Sequence, residues 1–353
     1  MKNLNNKEQI KRLDKNNILG SIEFLGKQCD QAWGEVKKIK IPASYKQVQN
    51  IVVAGMGGSA LGTDIINAVF ADRLKFPIQI VGDYCLPRYV GPKTLLILSS
   101  YSGNTEETLT VGLEGAKRKA KIIGIATGGK LGVFLKEKKY PAYVFEPKNN
   151  PSNEPRMGLG YSIVGQMGLL QGCGLLKISD SEIKEVVEAI KAFSEEFGIE
   201  SGDNLAKDFA KKLKKRLPIL VGSEFLAGNV HTLANQINEN AKCFANYFIS
   251  PGLNHHLMEG LKNPMTNRKN LKFVLINSKL YHPRNQKRYE VLKEILRGNR
   301  IDFIEYSPKS ETKLSQSFEV LVFGSYLSFY LAMLYDIDPS LIPWVNLFKE
   351  RLK

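Results

Sequence analysis

The chain has 353 residues, about twice the usual ~100–200 of one domain, so length favours two domains and excludes a small stapled scaffold. With 43% hydrophobic and 24% charged residues it holds apolar surface for two cores, which sets aside disordered, collagen-like and low-complexity classes. Fifty Lys and Arg against 35 Asp and Glu leave a formal charge of +15, an attraction for polyanions or for small anionic substrates. The densest basic run, Lys211 to Arg216, reads as the solvated face of a helix rather than a nucleic-acid surface.

In chain order, Met1 to Lys7 carries no apolar targeting stretch, and residues 1–48 read as an N-terminal helical segment. From residue 51 short apolar runs alternate with helical patterns, which argues for βα units around a parallel sheet. The strands expected in this half are 51–54, 78–81, 94–98, 121–125 and 142–145, with helices over 60–71 and 106–120. After the breaker cluster Asn149 to Pro155 comes an apolar helix over 159–175. Ser179 to Glu182 then forms a capping box, followed by apolar residues at helical spacing from Ile183 to Phe197.

The βα rhythm restarts after Gly202, with strands expected at 218–222, 272–276 and 301–305 and helices at 226–241, 285–297, 313–335 and 340–351. The fold expected is α/β: two tandem α/β/α sandwiches with parallel sheets, over 49–178 and 206–353, joined by a connecting helix at 179–205. Val320 to Tyr335 is the longest apolar stretch, yet it is shorter than the ~20 residues a bilayer needs and reads as a buried helix. The cysteines at 29, 85, 173 and 243 form no CxxC pair, so they are expected to be reduced core thiols of a cytoplasmic protein, with no disulfide framework and no metal site.

Two loops can carry chemistry. The turn Ala54-Gly55-Met56-Gly57-Gly58-Ser59-Ala60 joins the first strand to a helix. As Gly55-x-Gly57-x-x-Ala60, with Asp83 28 residues after Gly55, it is a variant of the dinucleotide fingerprint, so an NAD-dependent oxidoreductase is one reading. Its Gly58-Ser59 ending also places a hydroxyl and free amides at a helix N-terminus, as a sugar or phosphate requires. The second loop, Ser99 to Thr108, follows an apolar strand and opens a helix. Hydroxyls at Ser100, Ser102 and Thr105 surround Gly103, and the helix adds unpaired amides and the positive end of its dipole. Such a loop holds a phosphomonoester without a metal or a Walker lysine, whereas helix capping accounts for only one of its hydroxyls.

Gly-x-Gly-Gly-Ser followed by Ser-x-Ser-Gly-x-Thr resembles the sugar isomerase (SIS) fold, whose members bind phosphosugars at the C-terminal edge of a parallel sheet. Three further segments, Pro155 to Tyr161, Asn235 to Lys242 and Pro251 to His255, are similar to the bifunctional phosphoglucose/phosphomannose isomerases. The resemblance implies interconversion of glucose 6-phosphate or mannose 6-phosphate with fructose 6-phosphate through a cis-enediolate, with no cofactor, metal, nucleic acid or membrane partner. It implies Glu239 as the proton-transferring carboxylate, Arg156 as the cation facing the enediolate, His255 as the ring-opening group and Lys349 as its helper. Ser100, Ser102 and Thr105 are then expected at the phosphate, with Gly58 and Ser59 at the sugar. It also implies a homodimer in which His255 reaches the neighbouring subunit's site. The segment Asn254-His255-His256-Leu257 departs from the family's Asn-His-Asn-Glu, which leaves His256 as an alternative and keeps open a non-catalytic phosphosugar sensor.

Overall fold

The computed structural model describes residues 4–352; residues 1–3 and 353, the outer ends of the expected N-terminal and C-terminal segments, lie outside the described residues. Three short helices, α1 (Lys7–Leu13), α2 (Ile18–Glu23) and α3 (Leu25–Val36), lead into β1 (Asn50–Ala54), α4 (Gly58–Val69), β2 (Ile78–Val81), β3 (Thr94–Ser99), α5 (Glu106–Lys117), β4 (Lys121–Ala126), α6 (Gly129–Glu137), β5 (Ala142–Val144) and α7 (Leu159–Gly172). All five strands are parallel, in the order β2-β1-β3-β4-β5. Every residue of β3 is buried, the mark of a parallel strand covered by helices on both faces. The chain leaves β1 for one edge and returns to its other side as β3. The loops after these two strands therefore flank the switch point, where open α/β sheets place ligands.

α8 (Asp180–Phe197) and α9 (Leu205–Leu213) lead into the second half: β6 (Leu217–Ser223), α10 (Ala227–Ala241), β7 (Asn246–Ser250), the single-turn α11 (Asn267–Asn270), β8 (Leu271–Ile276), α12 (Pro283–Gly298), β9 (Asp302–Tyr306), α13 (Lys313–Tyr335) and α14 (Pro343–Arg351). Its parallel sheet is ordered β7-β6-β8-β9. The capping box forms as expected, with Ser179 and Glu182 satisfying each other's backbone N–H groups at the start of α8.

The halves share one apolar core that runs from the N-terminal helices through α7 and α8 to α13. α13 is long and apolar enough to cross a bilayer, yet its apolar window is entirely buried inside the protein. Phe323 on α13 stacks on Tyr306 of β9 at 4.1 Å and meets Phe197 of α8 and Phe209 of α9 edge-on. Between α4 and α10 a polar pin crosses the halves, His231 Nδ1 to Asp64 Oδ2 at 2.6 Å. The basic run after residue 210 is paired by the protein itself: Lys211 with Asp203 and Lys212 with Asp208 close by, and Arg216 with Asp302 at the start of β9.

The structure differs from the sequence reading at four places. β7 is an edge strand squeezed between the end of α10 and Pro251, and only Ser250 in it is buried, so it shows no alternation. α6 buries only Leu131 and Leu135 behind the pair Gly128-Gly129, too little for a helical period. α14 starts at Pro343 instead of residue 340, because proline suits a first helical position and disfavours helix in the residue before it. Cys29, Cys173 and Cys243 are buried free thiols, but Cys85 is exposed, a correction to the expectation of four core thiols.

Replacing Phe323 with Ala should cost about 3–5 kcal/mol in urea unfolding monitored by circular dichroism, and Leu113→Ala, at a position 54% exposed, within about 0.5 kcal/mol.

Candidate active site

The loop after β3 folds around Gly103, whose backbone is left-handed at φ 68°. A Cβ there would lie 1.9 Å from the Gly128 carbonyl oxygen, so only glycine lets this loop lie against the start of α6. Ser100 is buried and its hydroxyl shares a hydrogen bond of 2.8 Å with Thr105, while Ser102 points to solvent. Thr105 is the N-cap of α5, yet its side chain makes no capping bond to that helix. The first-turn amides of α5 are left for a guest, and the positive end of the helix dipole favours an anion there.

The glycine turn lies alongside. Gly57, at φ 49°, starts α4 without a side-chain cap. Ser59 is buried; its hydroxyl accepts from the Tyr101 N–H at 2.9 Å, and its carbonyl accepts from Ser99 Oγ at 2.9 Å, which pins the two loops together. A Cβ on Gly58 would fall 2.9 Å from the Pro155 carbonyl carbon, so the turn carrying Arg156 rests directly on this glycine.

Arg156 is 2% exposed and spends five hydrogen bonds on the protein. Nε donates to Asn240 Oδ1 at 2.7 Å, Nη1 to Glu154 Oε2 at 2.6 Å and Glu239 Oε2 at 3.5 Å, and Nη2 to the carbonyls of Pro339 at 3.0 Å and Ser340 at 2.9 Å. These match the five N–H groups of a guanidinium. The longest of the bonds is the one to Glu239. That carboxylate sits near the end of α10, 31% exposed, and its Oε1 has no protein partner among the described residues. Burial raises the Glu239 pKa above the ordinary carboxylate value, and Glu154 adds to the rise. Arg156, Lys349 and Lys242 oppose it. A carboxyl moved toward neutrality is suited to taking and returning a proton.

The structure thus brings Arg156 and Lys349 within electrostatic reach of Glu239, and joins Arg156 through Gly58 and Ser59 to the hydroxyl loop. It does not bring the chain's own histidines there. His255 and His256 are exposed in the turn after β7, and no hydrogen bond or ion pair links either to Glu239 among the described residues. The sequence reading placed Glu154, Asn240 and Lys242 inside quoted segments but gave them no role; they hold Arg156 or the chain segment it grips, and their nearness in sequence to Arg156 and Glu239 was the available signal. A groove of about 1080 Å³ between α1–α3 and α8 lies away from these residues.

The second sheet has the same switch point between β6 and β8, and there the protein supplies its own carboxylate. Glu224, left-handed at φ 46°, accepts from the His282 N–H at 2.8 Å and Asn285 Nδ2 at 2.7 Å at the start of α12. The corresponding turn of the first sheet is glycine and serine and carries no carboxylate, and α5, the counterpart of α12, has no side-chain cap.

Followed by carboxyl-carbon NMR, Glu239 should titrate above 4.5, and Lys349→Met, which removes a cation that holds it down, should move it higher still.

A family profile described as "Bacterial phospho-glucose isomerase C-terminal SIS domain" matches residues 202–352. The bifunctional phosphoglucose/phosphomannose isomerase of Caldicellulosiruptor bescii is 32% identical over 339 residues, covering 94% of this chain and 98% of the relative. That of Aquifex aeolicus is 29% identical over 91% of this chain and 94% of its own. A hypothetical protein from Thermus thermophilus superposes with a TM-score of 0.74 at 18% identity, over 98% of this chain and 93% of the other, a likeness of fold. At 32% identity to a relative over 94% of its length, the chain belongs to the bifunctional phosphoglucose/phosphomannose isomerase family.

Proposed function

We propose that the protein is an aldose–ketose isomerase that interconverts glucose 6-phosphate and mannose 6-phosphate with fructose 6-phosphate. The observation that carries this reading is the placement of Glu239, a carboxylate with one oxygen free, against the buried Arg156, whose own turn rests on Gly58 beside the serine that pins the hydroxyl loop. The phosphate takes the amides at the start of α5 with Ser100, Ser102 and Thr105, and Gly58 and Ser59 line the sugar. Anchorage at that distance from C1 and C2 fixes the reacting carbons before chemistry begins. Glu239 removes the proton from C2 of the open-chain aldose and returns it to C1, while the hydroxyl proton moves from O2 to O1. The negative charge that builds on the enediolate lies in the field of Arg156 and Lys349. Because Arg156 is bonded throughout to protein, it acts by field and by placing Glu239, and contacts substrate only by giving up its 3.5 Å bond.

Glu239→Gln should lower turnover of fructose 6-phosphate in a coupled assay by ~100-fold or more, and a loss of under tenfold would remove Glu239 as the base. The wild-type kcat/KM should rise with pH through the raised pKa of Glu239, since the ionised carboxylate is the active form.

Ring opening falls to His255 of a second subunit in a homodimer. His255 is exposed and apart from Glu239 in its own chain, and α14 presents Trp344, 79% exposed, and Phe348, 65% exposed, which a partner would cover. Each site is then built from two chains. Co-refolding inactive Glu239→Gln and His255→Ala chains should restore about a quarter of wild-type activity, from mixed dimers with one intact site. Failure to restore activity, with mixed dimers present by native mass spectrometry, would assign the histidine to its own subunit.

A further inference from the structure

The helix that carries Glu239 is tied at its end. α10 stops at Lys242, a left-handed residue at φ 48° and ψ 33° whose backbone N–H donates to Ile237 O. From this cap the ammonium donates to the carbonyls of Asp338 at 2.8 Å, Pro339 at 3.1 Å and Asn240 at 3.3 Å. Three carbonyls use the three N–H groups of an ammonium and leave none for substrate. Two of them belong to residues 336–342, the strap that runs from the buried α13 to α14, a helix with no buried residue. Lys349 rides on α14. The Pro339 carbonyl is gripped twice, by Lys242 and by Arg156, and the strap is held again where Asn16 Nδ2 donates to Ser340 Oγ at 3.0 Å.

We propose that Lys242 is a positioning residue: it ties the end of the Glu239 helix to the strap that leads to Lys349, and so keeps carboxylate and ammonium in one register at the reacting carbons. The proposal rests on the isomerase reading for its kinetic consequence. The charged groups around Lys242 are Arg156, Asp338, Glu154 and Glu239. Burial, with Arg156 pressing the same way, lowers the ammonium pKa to about 8, against the pull of the three carboxylates. The phosphate loop lies on another element, so losing the tie misplaces the reacting groups without touching the anchor.

Lys242→Met keeps the stem and deletes the donors, and Lys242→Arg restores them. The Met variant should lose kcat by roughly 10–100-fold, the cost of a small misplacement, with KM within ~3-fold of wild type, and the Arg variant should recover most of the loss. Independently of activity, hydrogen exchange by mass spectrometry should quicken in the peptide spanning 336–346 of the Met variant and slow again in the Arg variant, with the melting temperature within ~2 °C. Wild-type kcat in the Met variant, a rise in KM alone, or unchanged exchange over 336–346 would each overturn the proposal. A wild-type chain that turns over no sugar phosphate would remove the isomerase reading, and the exchange measurement would then decide the tie by itself.

Discussion

The buried guanidinium of Arg156 is the interaction on which the rest of the site depends. A charge that is 2% exposed persists only if every donor finds a partner, because breaking such a set leaves an uncompensated ion at a cost of ~3–5 kcal/mol. Its partners come from three separated stretches: Glu154 beside it, Asn240 and Glu239 on α10, and the carbonyls of Pro339 and Ser340. One side chain therefore sets the distance between the first sheet's loops, the helix of the candidate base and the strap that leads to the last helix.

That role is possible because the halves are packed as one body. α4, whose N-terminus carries the glycine turn, lies against α10, whose other end carries Glu239, and both face the core that includes α13. Close packing of this kind resists relative motion of the parts, so the hydroxyl loop of one half and the carboxylate of the other keep their spacing without a hinge. The second sheet repeats the architecture but not the site. Where the first leaves helix amides open, Glu224 occupies the corresponding place with its own charge. An anion is thereby favoured at one switch point and opposed at the other.

Opposing terms also set the electrostatics at Glu239. Three cations stand near it, which alone would hold it ionised at low pH, but desolvation by the surrounding helices outweighs them and the net shift is upward. The excess of fifteen positive charges is a background field that brings dianionic substrates toward the molecule. Whether an anion is held depends on oriented amides and hydroxyls, which the count of charges does not describe.

Most of the sheet strands could be read from the chain directly, because a buried parallel strand is a short unbroken apolar run and a helix repeats near every fourth residue. β2 and α13 fall on their expected boundaries for that reason, and the hydroxyl loop was legible because it sits between two such signals. β7 and α6 were not legible, since an edge strand and a helix with two buried residues carry little pattern. The residue types of the candidate site were likewise determined by the sequence, as was their order. Only the tertiary structure decided that Arg156 is fully bonded to protein, that Lys242 grips the strap and that His255 stands apart from Glu239 in its own chain. Apart from the local bonds to Glu154 and to the Asn240 carbonyl, the bonds of Arg156 and Lys242 join residues between 83 and 184 positions apart, and a linear pattern carries no information about which distant carbonyl a guanidinium or an ammonium will find.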